Sequence, residues 1–340
     1  MISSKPADEV FLDHDYLEDV DGRLYVVVGN SHPSNYVIAY VKYVPTNEQT
    51  PWKRGSRYYA RVVKMYGVKN VIPTVKVIQE FTRDAMLNVN VPILKLSRLK
   101  KHYIPKYRLQ EIIKRPNDAL EVKLLEVIDR LRTCCNISLS NLGVTGSLLP
   151  MIHNAKISDI DVIVYGCREA IELCDCVSEC FDKVPKDVLR KRLINRAMAY
   201  GLSVNDVIKL DAPYRMLYLN GKEVNFCLVD DRPSRYCEFV YVPLSKATIK
   251  LELIGNCKSL FYPSIAYVDR VIEVIKSGIN EEVIKRELKY VISYESIYSY
   301  VMFRGGKFIA DGVIERVYPY GYLALLIGAS EYPGYLIPSS

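Results

Sequence analysis

The sequence predicts an α+β fold, with a short mixed sheet and helices at its centre and β-rich domains at its N- and C-terminal ends. Three observations carry this. The first hundred residues are short β-branched and aromatic runs broken by Pro, Gly and Asn; the hydrophobic period changes to three and four residues near Pro116; and strand patterns return from about Ser234. At 340 residues the chain exceeds the usual size of one hydrophobic core. The expected boundaries are 1–105, 106–232 and 233–340.

In the first segment "GRLYVVVGN" and "NYVIAYVKYVP", separated by "SHPS", predict a pair of strands joined at a turn, and "SRYYARVVKMYG", "VIPTVKVIQEF" and "VPILKLS" are expected to add more strands. Next, "NDALEVKLLEVIDRLRTC" places Leu120, Leu124, Val127, Ile128 and Leu131 on one helical face, with Asn117 or Asp118 available as N-cap. "DVIVYG" is a short, fully apolar strand. "REAIELCDCVSECFDKV" and "PKDVLRKRLINRAMAYG" read as helices, the second opening on Pro and closing on Gly201. In "YRMLYLNGKEVNFCLVD" the Asn220-Gly221 pair signals a hairpin. "YCEFVYVPL", "ATIKLELIG", "YVISYESIYSYVMF", "GVIERVYP" and "YLALLIGA" read as strands, and "NEEVIKREL" as a short helix.

Hydrophobic residues make up 49% and charged residues 25%, values that argue against disorder and against a fibrous protein. No apolar run reaches the roughly 18 residues needed to span a bilayer, and the N-terminus is too acidic for a secretory signal, so a soluble cytoplasmic protein without a membrane partner is expected. Abundant Tyr, Ile, Val, Lys and Glu with little Gln fit a thermophilic source. The net charge of +7 concentrates in "RLKKHYIPKYR" and "KDVLRKRLINR", which permits RNA or another polyanion as partner. Cys167, Cys174, Cys176 and Cys180 cluster, but their spacing is not that of paired zinc knuckles. They read as small buried hydrophobes, with a disulfide from Cys134 or Cys135 as the alternative.

The chemistry concentrates in "GSLLPMIHNAKISDIDVIVYG", residues 146–166. Side chains alternate along a strand, so Asp159 and Asp161 share a face while Ile160 and Val162 enter the core. Two convergent carboxylates at the head of a buried strand call for a cation, and Mg2+ or Mn2+ carried by a nucleoside triphosphate suits such a donor set. If Gly146-Ser147 ends one strand and opens a helix, the glycine lets the backbone approach a phosphate, to which backbone N–H groups and the Ser147 hydroxyl donate. Lys156 and His153 are the further loop residues that could meet phosphate, His153 with a surface role as its alternative.

With "VTGS" before it and "SDIDVIVYG" on the next strand, the stretch resembles the signature of the DNA polymerase beta-like nucleotidyltransferase superfamily, over roughly residues 117 to 230. The flanks "DGRLYVVVGNSHPSNYVIAYVKYVP", "ATIKLELIGNCKSLFYPSIAYVDRV" and "VISYESIYSYVMFRGG" look like an uncharacterised archaeal branch of predicted nucleotidyltransferases. The resemblance implies a nucleotidyltransferase α/β module in which Gly146, Ser147, Lys156 and Ser158 bind the nucleotide and Asp159 and Asp161 bind metal. It also implies attack of a hydroxyl on the α-phosphorus of an NTP with release of pyrophosphate. Where the superfamily adds a third carboxylate after a hairpin, "NGKEVNFCLV" has Asn225, whose amide oxygen can ligate a metal but cannot act as a base. Glu223, two residues earlier on the same strand face, is the candidate substitute, with an exposed strand residue beside a turn as its alternative, and Glu252 is a remoter candidate. The alternative is a catalytically degenerate nucleotide- or RNA-binding protein on the same fold.

Overall fold

The computed structural model describes residues 10–328 and 331–339. Among these, strands form three sheets. The first contains β1 (Tyr16–Asp19), β2 (Leu24–Val27), β3 (Tyr36–Thr46), β4 (Trp52–Arg54), β5 (Arg57–Arg61), β6 (Phe81–Arg83), β7 (Asn90–Lys95) and β8 (Leu99–Tyr103), in the order β4-β5-β3-β2-β1-β8, with β7 between β3 and β6. The second runs β11-β12-β13-β10-β9, from β9 (Leu142–Val144), β10 (Ile160–Tyr165), β11 (Asp182–Lys183), β12 (Leu217–Leu219) and β13 (Lys222–Val229). In the third, β14 (Val240–Ile254), β15 (Ser264–Ser277), β16 (Leu288–Ser293), β17 (Gly306–Tyr318) and β18 (Tyr322–Ile327) pair in the closed ring β14-β15-β16-β18-β17-β14, and β19 (Tyr335–Pro338) adds to β17. The α+β class therefore holds. No helix among the described residues is long and apolar enough to cross a membrane.

Helices α1 (Val68–Lys76), α2 (Pro105–Lys114), α3 (Ala119–Cys134), α4 (Cys167–Cys180), α5 (Lys186–Tyr200), α6 (Val204–Lys209), α7 (Glu281–Glu287) and α8 (Ser299–Arg304) complete the fold. Asp118 caps α3, its carboxylate accepting from the Leu120 and Glu121 N–H groups, and the expected Leu120, Leu124, Val127, Ile128 and Leu131 face is buried. That face and α4 cover one side of the second sheet, in a core shared with Val162, Val164, Val224 and Phe226. Buried side chains of α5 and α6 instead enter the core of the third sheet.

Three expectations need correction. Much of "VIPTVKVIQEF" is helix α1: Val68, Val71, Ile72 and Val75 repeat at helical spacing, although the composition favours a strand. "YVISYESIYSYVMF" is a strand only as far as Ser293; the chain then turns, and α8 buries Val301 and Met302 at adjacent positions of one short helix. The cysteines are not mainly free buried hydrophobes: the alternative, a disulfide from Cys134 or Cys135, holds as Cys134–Cys180 and Cys135–Cys176, and Cys167–Cys257 is a third bridge. Cys176 and Cys180 lie one helical turn apart and so face the Cys134-Cys135 pair together. The sulfurs of Cys134, Cys135 and Cys180 lie within 4.8 Å of one another because the two bridges are adjacent, and bridged sulfurs are not thiolate ligands.

The third sheet also buries an acid. Glu315 on β17 is 1% exposed, its Oε1 has no hydrogen-bond partner, and burial pushes its carboxyl up to about 8. An unfolded glutamate ionises near 4.3, so between that pH and about 8 the folded state holds a proton that the unfolded state has lost. Stability contributed by this group is full below the lower value and declines as pH rises through the window. Glu315→Gln is expected to flatten the decline and to raise stability at pH 8 by an amount on the order of a few kcal/mol. Urea unfolding of both proteins at pH 5 and pH 8 checks this; an equal pH dependence in the two would refute it.

Candidate active site

The site is built on β10. It pairs antiparallel with β9 and parallel with β13, in a register that sets Asp161 opposite Asn225 and Val162 opposite Phe226. Asp161, Asn225 and Cys227 thus share the sheet face turned away from α3 and α4. Asp159 immediately precedes β10, and the Asn225 amide donates to its Oδ2 over 3.5 Å. The carboxylate pair of the sequence pattern and the amide at the third position are brought together.

Gly146 lies against them. Its φ is +64°, and a Cβ built there would sit 2.1 Å from Asp161 Oδ2. The Thr145 N–H donates to the Asp161 carbonyl at 3.0 Å, which holds the glycine beside the carboxylate. The helix expected after Gly146-Ser147 does not form: residues 146–151 are a run of turns. Pro150 lacks a backbone donor, Met151 has φ +59°, and the Ile152 N–H returns to the Ser147 carbonyl at 3.1 Å. Ser147 and Ser158 are both buried, the Ser147 hydroxyl donating to Ser158 Oγ at 3.3 Å.

Other candidates sit differently. The Lys156 side chain is exposed, and its carbonyl, with that of Ser158, accepts from Lys222 Nζ at 2.9 and 3.2 Å. Lys222 is therefore the ammonium that braces this loop. Glu223 is paired with Arg192 of α5 at 2.6 Å. His153 Nε2 lies 2.8 Å from Asp118 Oδ2, tying the loop to the α3 cap. Glu252 is paired with Arg270 on the third sheet.

The residues that sequence reasoning missed come from the first sheet and the turn that precedes β1. Burial, then the neighbouring Asp159 charge, pushes the Asp161 carboxyl up to about 7, while Lys42, His14 and Arg61 pull it back. Arg61 also acts on Asp159. His14 is fixed by Asp13, whose Oδ2 is 2.7 Å from its Nδ1, and by Thr145, whose hydroxyl donates to the His14 carbonyl at 3.0 Å. Burial alone would lower the His14 pKa, but Asp13 and then Cys227 outweigh it and raise it well above the ordinary value. The loop after Gly146 is itself packed into the first sheet: Leu149 and Ile152 share a core with Tyr16, Leu24 and Tyr43, and the Lys53 N–H donates to the Ile152 carbonyl at 3.1 Å. Lys42 left one trace in the sequence, a lone cation inside "YVIAYVKYV".

Carboxylate oxygens of Asp159 and Asp161, joined by the Asn225 amide oxygen once that amide is turned from its present N–H contact with Asp159, could supply a hard, all-oxygen donor set that suits Mg2+ or Mn2+. The raised Asp161 carboxyl fits that use, since a divalent ion would offset the repulsion between the two acids. The shallow clefts at the C-terminal end of α3, lined by Asp129 and Thr133, share no residue with this site. No family profile, curated protein or solved structure matches the chain.

Proposed function

We propose that the protein is a metal-dependent nucleotidyltransferase, which moves a nucleoside monophosphate from an NTP to a hydroxyl acceptor and releases pyrophosphate. The observation that carries this reading is the contact between a left-handed glycine and a crowded carboxylate: Gly146 meets Asp161, with Asp159 and Asn225 beside it. Gly146 and the turns after it let a phosphate chain approach the backbone, as the Gly-Ser signature requires. Asp159 and Asp161 would hold Mg2+ or Mn2+, which when bound neutralises charge developing on the transferring phosphoryl group. Ser147 and Ser158 position the loop, and Lys222 anchors it through two carbonyls. Lys156 binds phosphate only from the rim, and Glu223 reaches the metal only by leaving Arg192. RNA or another polyanion bearing a hydroxyl is the acceptor class that the net positive charge favours.

Asn225 favours a second reading, a nucleotide-binding protein whose transfer activity is lost. The two are separated by magnesium-dependent pyrophosphate release from the four NTPs over a panel of RNA and small hydroxyl acceptors. The wild-type chain is expected to turn over, with Asn225→Asp changing the rate by less than the loss of either aspartate does. Magnesium-dependent NTP binding without turnover, restored by Asn225→Asp, would establish the second reading instead.

A further inference from the structure

The first sheet presents a cation that its own surroundings do not neutralise. Lys42 is only partly exposed on β3, and its Nζ lies 5.6, 6.0 and 5.7 Å from the ring centroids of Tyr16, Tyr43 and Tyr66. Ring faces attract an ammonium without cancelling its charge. Other cations shielded from solvent are paired with acids: half-buried Arg54 meets Glu18 at 2.7 Å, and buried Arg108 pairs with Glu121. Among the described residues Lys42 has no carboxylate within the 4.0 Å of an ion pair. Arg61 has none either; its Nε and Nη2 are fixed on the Val63 carbonyl and the Tyr66 hydroxyl at 2.9 and 3.0 Å. Nη1 has no protein acceptor among the described residues.

A second observation points to a missing acceptor in the same cluster. Tyr16 is 1% exposed and its hydroxyl has no hydrogen-bond partner. A buried hydroxyl left unpaired is costly, and a ligand oxygen satisfies it. The cluster thus offers two cationic groups and an orphan donor, and both cations act on the aspartate pair.

We infer that Lys42 and Arg61 form a polyphosphate clamp, taking the phosphate oxygens of a metal-bound triphosphate whose metal Asp159 and Asp161 hold. This rests on the proposed function for the nucleotide, while the clamp itself needs only the phosphate chain. Charge selects that ligand. One divalent ion balances the two aspartates, which leaves the two cations to be met by an anion of at least two negative charges; a triphosphate, at about −4, exceeds that requirement, whereas a single phosphodiester, at about −1, falls short of it. The clamp also gives the first sheet its part in the chemistry, because the phosphate chain would bridge it to the second.

Calorimetric titration of the full chain with inorganic tripolyphosphate and Mg2+ tests the clamp. Lys42→Met, which keeps length and apolar contact, and Arg61→Met are each expected to weaken binding by about 10-fold or more, and Lys42→Arg to retain most of it. Lys42→Met should not lower the thermal midpoint, since it removes a buried charge; if it does lose the fold, Arg61→Met carries the test. Affinities within two-fold of wild type in both Met variants would overturn the clamp, even if NTP turnover persisted. Conversely, absence of metal-dependent NTP chemistry together with Lys42-dependent tripolyphosphate binding would overturn the transfer reading and leave the clamp standing.

Discussion

Asp161→Asn is expected to lower magnesium-dependent pyrophosphate release by roughly 1,000-fold while leaving the fold intact. The amide is isosteric and removes the crowded charge, so the variant should be at least as stable as wild type near neutral pH. Burial and Asp159 push the Asp161 carboxyl up to about 7. An aspartate raised in this way holds its proton in the folded state above the pH at which the unfolded chain releases it. Its contribution to stability is complete below about pH 4 and is lost as pH rises towards 7. Magnesium should restore that loss, because it binds only the ionised pair. Thermal unfolding at pH 5 and pH 8, with and without Mg2+, is therefore expected to show a metal-induced rise at pH 8 that is much smaller at pH 5 and absent in Asp161→Asn. Magnesium affinity should likewise weaken below about pH 7. If the variant releases pyrophosphate at the wild-type rate, the metal does not sit on Asp161 and the transferase reading fails.

The parts of this site that the sequence made legible are those fixed by local rules. Alternation along a strand led to Asp159 and Asp161 sharing a face, and Asn220-Gly221 to the hairpin that opens β13, whereas the place of Asn225 beside them was implied only by the superfamily resemblance and depends on the parallel pairing of β13 with β10. The α3 face was equally legible, because its apolar residues recur at helical spacing over 16 residues. What was not legible depends on contacts between distant segments. His14, Lys42 and Arg61 lie about a hundred residues or more before Asp161, and their approach follows from the packing of the loop 146–152 into the first sheet, for which no periodicity exists. The same holds for Cys135–Cys176 and Cys167–Cys257, whose partners are 41 and 90 residues apart. Short helices such as α1 and α8 were missed for another reason: over six to nine residues, β-branched and aromatic composition outweighs a period of which there are barely two turns.

Gly146→Ala tests the geometry that separates a nucleotide site from two acids on a strand. At φ +64° an alanine is strained by roughly 1 kcal/mol, a modest loss. The steric consequence is larger. The added Cβ would lie 2.1 Å from Asp161 Oδ2, 3.0 Å from its Cγ and 3.1 Å from its Cβ. Such a contact cannot persist, and the short aspartate has little length with which to yield. Its carboxylate must rotate away or β9 must retreat from β10, which would break the Thr145 N–H bond to the Asp161 carbonyl. Either movement displaces the proposed metal ligand by about an ångström, a displacement that can cost on the order of 100-fold in rate. The variant is therefore expected to stay folded, with a thermal midpoint within a few degrees of wild type, and to lose magnesium-dependent NTP binding and turnover together. Tripolyphosphate binding without magnesium, which depends on Lys42 and Arg61, should fall much less. Wild-type magnesium affinity in Gly146→Ala would mean that Asp161 meets its metal in another orientation, and the Gly146–Asp161 contact would then be a matter of packing alone.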